Sequence, residues 1–92
     1  MTMRAALICT DKAGALQTRI NNRPAHLAYI ADTGVVEMAG PFLDAAGQMT
    51  GSLIILSVDS LQAAEAWAAS DPYAKARLFQ QVTITEWKKV IG

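Results

Sequence analysis

The run SLIILSV at residues 52–58 is the strongest β-strand signal in the chain. Its centre holds large apolar residues at consecutive positions rather than at alternate ones. A half-buried strand alternates apolar and polar residues, whereas a strand with a continuous apolar run is covered on both faces. We therefore predict a strand here whose two faces are both covered.

The segments on either side of this run predict a helix and another strand. The residues DSLQ that follow it are typical of a helix start, with Asp59 as the N-cap and Gln62 reaching back in a capping box. Upstream, residues 35–42 predict a strand that ends at Gly40-Pro41, because proline cannot donate to an interior ladder.

The remaining elements complete the topology. Residues 3–9 form a short apolar run before a turn, and residues 79–87 alternate between apolar and polar types. From Ala15 the apolar residues recur at helical spacing, although Pro24 requires either a kink or the start of a second helical piece, with His26 just past that start. The order strand, helix, strand, strand, helix, strand predicts an α+β domain with the ferredoxin-like βαββαβ topology.

Right-handed crossovers place both predicted helices on one face of the antiparallel sheet, which leaves the other face uncovered. That face receives every second residue of the central run, and either Val82 and Ile84 or Trp87 from the last strand. So large an apolar surface is unfavourable in water, and we expect a second copy of the chain to pack against it. The pattern predicts a homodimer formed through the open sheet face.

Size and charge narrow the class of protein. The chain of 92 residues predicts one domain, residues 1–92, with a modest core. Eight basic residues balance eight acidic ones and are scattered, which argues against a nucleic-acid partner. No apolar stretch approaches the ~20 residues that span a bilayer, and the first residues do not resemble a secretory signal. We expect a cytoplasmic protein with no membrane partner.

The sequence gives little sign of metal or cofactor chemistry. Cys9 is the only cysteine and ends an apolar run, so we predict a buried small hydrophobe rather than a reactive thiol. A single histidine provides no cluster with zinc-ligand spacing, and no phosphate-binding glycine loop is present. We expect neither a metal nor an organic cofactor.

The chemistry-bearing candidates are His26 and Asp71. An imidazole titrates near pH 6.5, and a carboxylate on one ring nitrogen fixes the tautomer so that the other nitrogen can exchange a proton. Both residues also have structural interpretations, since a lone histidine is often a satisfied core residue. Asp71 before Pro72 fits a helix N-cap, and we expect its second oxygen to remain free for the imidazole.

Further residues are candidates for substrate binding. Arg23 could hold an anionic group with its planar fork, or remain a solvated helix residue. Gly40 and Pro41 could allow a ligand close to the backbone, or shape a turn. Ser52 could offer its hydroxyl to a pocket, or bond to backbone, and Tyr73 could donate its hydroxyl, or pack a helix onto the sheet.

Several short motifs follow one another along nearly the whole chain: DK at 11–12, RPAHL at 23–27, GPF at 40–42, GS at 51–52, SLQAAEAW at 60–67, DPY at 71–73 and WKKV at 87–90. In this order and spacing they resemble the YCII-related family of small bacterial proteins, which has the dimeric α+β barrel fold. The resemblance implies a homodimer with sheets packed face to face and a pocket near the histidine and the Asp-Pro-Tyr turn.

The resemblance also implies a function. In this family a paired histidine and aspartate are proposed as the catalytic site, and these roles would fall on His26 and Asp71. Relatives are linked to dehydrochlorination of chlorinated, hydroxylated aromatics, and the wider group includes muconolactone isomerases. We therefore expect an acid/base enzyme of the lyase or isomerase type acting on a small cyclic molecule. The alternative is a non-catalytic module that binds a small ligand or serves as an accessory in an assembly.

Overall fold

Four strands form a single antiparallel sheet in a computed structural model that describes residues 1–92. The strands are β1 (Met3–Asp11), β2 (Val36–Leu43), β3 (Met49–Val58) and β4 (Phe79–Trp87). Their order across the sheet is β2-β3-β1-β4, so the apolar run on β3 and the N-terminal β1 occupy the centre. The helix layer covers one face of β3, and the other face carries no helix, so a single chain does not provide the predicted covering of both faces.

Three helices connect the strands: α1 (Leu16–Thr33) joins β1 to β2, and α2 (Leu61–Ser70) and the short α3 (Pro72–Lys75) join β3 to β4. This order confirms the predicted α+β class with βαββαβ topology. None of the helices combines the length and the apolar character needed to cross a membrane.

The core lies between the helices and one face of the sheet. Its buried members come from β1, β3 and α2, and partly buried Tyr29 and Ile30 of α1 pack against them. The Tyr29 hydroxyl donates to the Trp67 carbonyl at 2.7 Å, and Trp67 Nε1 donates to Thr33 Oγ1 at 2.9 Å, which links α1 to α2. The eight buried members are Ala5, Leu7, Cys9, Ile54, Leu56, Val58, Ala64 and Trp67.

Cys9 belongs to this core, as predicted. It is 2% exposed, and burial raises the pKa of its thiol to about 12. Because the thiolate is the reactive form of cysteine, this residue is inert at neutral pH.

The opposite face of the sheet carries no helix. Arg4 pairs with Trp87 and Leu7 pairs with Ile84, so Trp87 lies on the open face while Ile84 packs against the core. This decides between the two registers left open by the sequence. Large apolar side chains on the open face are half-exposed, at 36% to 50% of their surface: Ile8, Met38, Phe42, Leu53 and Trp87.

The predicted strand end at Gly40-Pro41 is wrong. β2 runs through both residues to Leu43, and Pro41 pairs with Ser52 of β3. Because β2 is an edge strand, Pro41 can turn the side that lacks a donor away from the ladder. No turn exists at this position, and Gly40 does not have a positive φ.

Two helix boundaries are decided by the structure. Of the two alternatives at Pro24, a second helix start is excluded, because α1 continues through this residue as one helix and His26 lies within it. A proline inside a helix costs about 3 kcal/mol, and packing of the helix on the sheet has to offset this. The cap of α2 is Ser60, whose Oγ accepts from the Ala63 amide at 3.0 Å, rather than Asp59 in a box with Gln62.

Candidate active site

The fold brings His26 and Asp71 into direct contact. His26 lies in the middle of α1 and Asp71 lies between α2 and α3, yet Nδ1 of the imidazole is 2.8 Å from Oδ1 of the carboxylate. Both side chains are almost fully buried, at 7% and 2% exposure. Low surrounding polarity strengthens a hydrogen bond of this kind, so the ring is held firmly against the carboxylate.

Local sequence explains how Asp71 is placed. It is the N-cap of α3, Pro72 occupies the first turn, and Oδ1 accepts from the Tyr73 amide at 3.0 Å. The predicted cap is confirmed, but the predicted use of the second oxygen is wrong, because Oδ1 contacts both the amide and the imidazole. Paired with an ionised carboxylate, which only accepts hydrogen bonds, Nδ1 of His26 would be the donor in this contact.

The other ring nitrogen is unpaired within the chain. His26 lines a cavity between α1 and β2, and Nε2 has no hydrogen-bond partner in the chain. Every fully buried side-chain nitrogen and oxygen does have a partner, so Nε2 retains some exposure on a residue that lines the cavity. With Nδ1 protonated, Nε2 presents a lone pair to whatever occupies that space.

Tyr73 holds the imidazole from one side. The two rings stack with their centres 3.9 Å apart and their planes at 15°. Phe79 meets Tyr73 edge-on at 6.0 Å, which fixes the tyrosine in turn. Burial raises the pKa of Tyr73, against the charges of Arg19 and Arg23, so its hydroxyl is a neutral donor at neutral pH.

A buried ion pair forms the floor of the site. Arg19 Nε and Nη2 donate to the two carboxylate oxygens of Asp11 at 2.7 and 2.9 Å, and Nη2 also donates to Ser52 Oγ at 2.9 Å. Its Cζ lies 4.7 Å from the centre of the Tyr73 ring. Burial lowers the pKa of Arg19, but the Asp11 carboxylate outweighs this and raises it overall. The guanidinium therefore remains charged and locked in place.

Arg19 and Asp11 are site residues that the sequence reasoning missed. The signal was available in the helix: Arg19, Arg23 and His26 are spaced by four and then three residues, which places them on one face of a continuous α1. A second helix start at Pro24, one of the two alternatives left open by the sequence, would have broken this face. The alternative interpretation of Ser52 was a hydrogen bond to backbone. Its hydroxyl instead accepts a hydrogen bond from Arg19.

The cavity has a volume of about 110 Å³. Of the candidate residues, Asp71 lies behind His26 and does not line the cavity. No aspartate or glutamate lines the cavity, and half of its lining residues are hydrophobic. A Cβ on Gly40 would meet nothing within 4 Å, so the chain itself does not require a glycine there. The lining residues that the sequence singled out are Arg23, His26, Gly40, Pro41, Ser52 and Tyr73, joined by Arg19, Leu27, Ile30, Ala39, Met49 and Ile54.

The donor set around the cavity does not suit a metal ion. The chain has no group of three or more histidine, cysteine, aspartate or glutamate side chains that could hold one. The carboxylates of Asp11 and Asp71 are each bonded to a side chain that lines the cavity. The chemistry that the site can offer is proton transfer at Nε2 beside two cationic side chains.

Comparison with known proteins identifies the family. The model of the YCII-related domain matches residues 3–88. The chain belongs to the YCII-related family. It is similar to Protein YciI of Escherichia coli O6:H1, with 39% identity over 96% of this chain and 99% of that protein. An uncharacterized protein of Haemophilus influenzae is 31% identical over the same shares.

One solved structure is similar to this chain in both fold and sequence. The fold matches 5-chloro-2-hydroxyhydroquinone dehydrochlorinase (TftG) from Burkholderia phenoliruptrix, solved in complex with 2,5-dihydroxybenzoquinone. The TM-score is 0.87, with 34% identity and 94% of each chain covered. An antibiotic biosynthesis monooxygenase matches with a TM-score of 0.60 but only 11% identity, which shows a shared fold and nothing more.

Proposed function

We propose that this protein is a small enzyme that transfers protons by general acid/base catalysis on a compact cyclic organic molecule. His26 is the group that takes and returns the proton, and Asp71 orients it. The reaction is an elimination, such as dehydrochlorination, or an isomerisation. The observation that carries the proposal is the arrangement of His26: Nδ1 is bonded to a buried carboxylate, while Nε2 is unpaired and the residue lines a cavity.

The proposed step needs only the residues described. Nε2 takes a proton from the substrate, and the electrons of the broken bond form a new double bond in the substrate. In an elimination chloride leaves with its electron pair, so that the products are the unsaturated compound, chloride and a proton. Asp71 stabilises the imidazolium, and the stacked Tyr73 ring favours the same cation through its π-face.

The size of the cavity supports a single-ring substrate. An engineered cavity of about 150 Å³ in another protein holds benzene. The cavity here is smaller, at about 110 Å³, but it is open to solvent on one side, so one six-membered ring with its substituents at the entrance is the largest occupant that we expect. The likeness to a dehydrochlorinase of a hydroxylated aromatic supports the same class.

The proposal is tested by turnover of 5-chloro-2-hydroxyhydroquinone, with released chloride measured by ion chromatography. We expect release above the spontaneous rate, and its loss in H26Q. Thermal-shift measurements with the same compound provide the second readout. Binding without chloride release or rearrangement of the ring would contradict the catalytic proposal and favour a ligand-binding module.

We also propose that two copies pack through their open sheet faces. The support is the half-exposed apolar set on that face, which includes Ile8, Leu53 and Trp87. Ile55 lies on the same open face and is only 4% exposed, although it does not belong to the core that the helices cover. A two-fold contact between identical faces would cover this surface on both copies at once.

Placing a charge on this face should separate the copies. We expect the wild-type chain to have about twice its 9.8 kDa mass by light scattering, and L53E to have the mass of one chain. L61E is the matched control, since Leu61 is 38% exposed on α2 and Leu53 is 36% exposed on the sheet. A single-chain mass for the wild type, or a two-chain mass for L53E, would contradict the proposal.

A further inference from the structure

Arg23 differs from Arg4 and Arg19, because it has no carboxylate partner in the chain. Arg4 pairs with Glu37, and Arg19 pairs with Asp11. Arg23 lines the cavity and makes no ion pair or hydrogen bond within the chain. A planar guanidinium at the wall of a cavity with no internal partner has its donors available to a ligand.

The charged side chains around the cavity also favour an anionic ligand. Its charged or titratable lining consists of Arg19, Arg23, His26 and Tyr73, with no carboxylate among them. Asp11 is engaged by Arg19, and Asp71 is engaged by His26. The charge of Arg23 also opposes the rise in the pKa of Tyr73, so the guanidinium acts on the same space as the tyrosine hydroxyl. A ligand thus meets cationic donors and no acidic group.

The remaining lining is apolar. Leu27, Ile30 and Ile54 stand beside the cationic groups, and the cavity as a whole is half hydrophobic. Arg23 and His26 are three residues apart on α1, a spacing that brings Cβ atoms to about 5–6 Å. A group bound by Arg23 can therefore place a ring attached to it near His26.

We infer that the substrate is a single-ring monoanion, and that Arg23 binds its carboxylate or phenolate oxygen while the apolar wall takes the ring. This rests on the proposed function for the identity of the site, and it adds the charge class of the substrate. Arg23 then determines specificity by selecting the anion over a neutral molecule of the same shape. Arg19 contributes to the positive field, but its donors are already shared with Asp11 and Ser52.

Benzoate and benzamide test the inference, because they have the same ring and a similar shape but differ in charge. 4-Nitrophenolate tests whether a phenolate oxygen binds in the same way as a carboxylate. Dissociation constants come from NMR titration of the labelled protein. Because Arg23 is exposed, we expect the wild type to favour benzoate or 4-nitrophenolate over benzamide by about fivefold to tenfold. R23Q should remove the preference and leave benzamide affinity unchanged. R77Q, the matched control, changes an exposed arginine outside the cavity and should keep the preference.

The inference is overturned by equal affinities for anion and amide in the wild type, by a preference that survives in R23Q, or by neither anion shifting resonances around the cavity. Its failure is distinguishable from failure of the proposed function. H26Q should retain the preference for the anion even though it loses turnover, whereas an active enzyme without any anion preference would leave the role of His26 standing and remove that of Arg23.

Discussion

Replacing His26 with glutamine should lower turnover by about 10²- to 10⁴-fold, the range contributed by a positioned general acid/base. Glutamine can fill much of the space and still hydrogen-bond to Asp71, but its amide cannot take a proton at neutral pH. His26 is the only histidine in the chain, so no other imidazole can substitute for it. The measurement is kcat and KM for the substrate identified by chloride release or ring rearrangement.

Two controls separate loss of chemistry from loss of structure. Circular dichroism and thermal unfolding should show that H26Q remains folded, and benzoate titration should show an intact cavity. Addition of free imidazole to the smaller variant H26A should restore part of the rate, because the vacated space opens onto the cavity. A folded H26Q with wild-type kcat would exclude His26 as the proton carrier.

The second large effect is expected at Asp71. In D71N the amide oxygen can take the place of Oδ1 and accept from both the Tyr73 amide and Nδ1 of His26, but the negative charge that stabilises the imidazolium is lost. In a serine-protease triad the same change costs about 10⁴ in kcat. We expect a loss of about 10²- to 10⁴-fold here, mainly in kcat, because substrate contacts in the cavity are unchanged.

Stability distinguishes this effect from the capping role of Asp71. Asparagine is as good an N-cap as aspartate, so D71N should keep the hydrogen bond to the Tyr73 amide and unfold within about 1 kcal/mol of the wild type. D71A loses the cap as well and should unfold more easily. If D71N matched the wild type in kcat, Asp71 would be a structural cap only.

The fold was predictable because its signals are local. The consecutive apolar residues of β3 and the alternation of β4 each identify a strand, and Asp71-Pro72 identifies a helix start. The order of the elements then leaves few topologies. Strand pairing decided what these signals left open, since only the register of β4 on β1 shows that Trp87, rather than Ile84, lies on the open face.

The errors arose where tertiary context overrides a local rule. Proline disfavours a helix interior and a central strand, yet Pro24 lies within a helix that packs on the sheet and Pro41 lies on an edge strand. Neither exception is visible without knowing the neighbours. The Arg19–Asp11 pair was missed for the same reason: charged residues are buried only when paired, and the partner comes from a different element.

The most direct test of the account is the protonation of the two ring nitrogens of His26, measured by ¹⁵N NMR at a pH where the imidazole is neutral. We predict a proton on Nδ1, coupled across the hydrogen bond to Asp71, and a pyridine-type Nε2 without a proton. We also expect ligand binding to perturb the Nε2 resonance. A wild-type ring protonated at Nε2, with its lone pair on Nδ1, would contradict the account because the nitrogen facing the cavity could not then accept a proton.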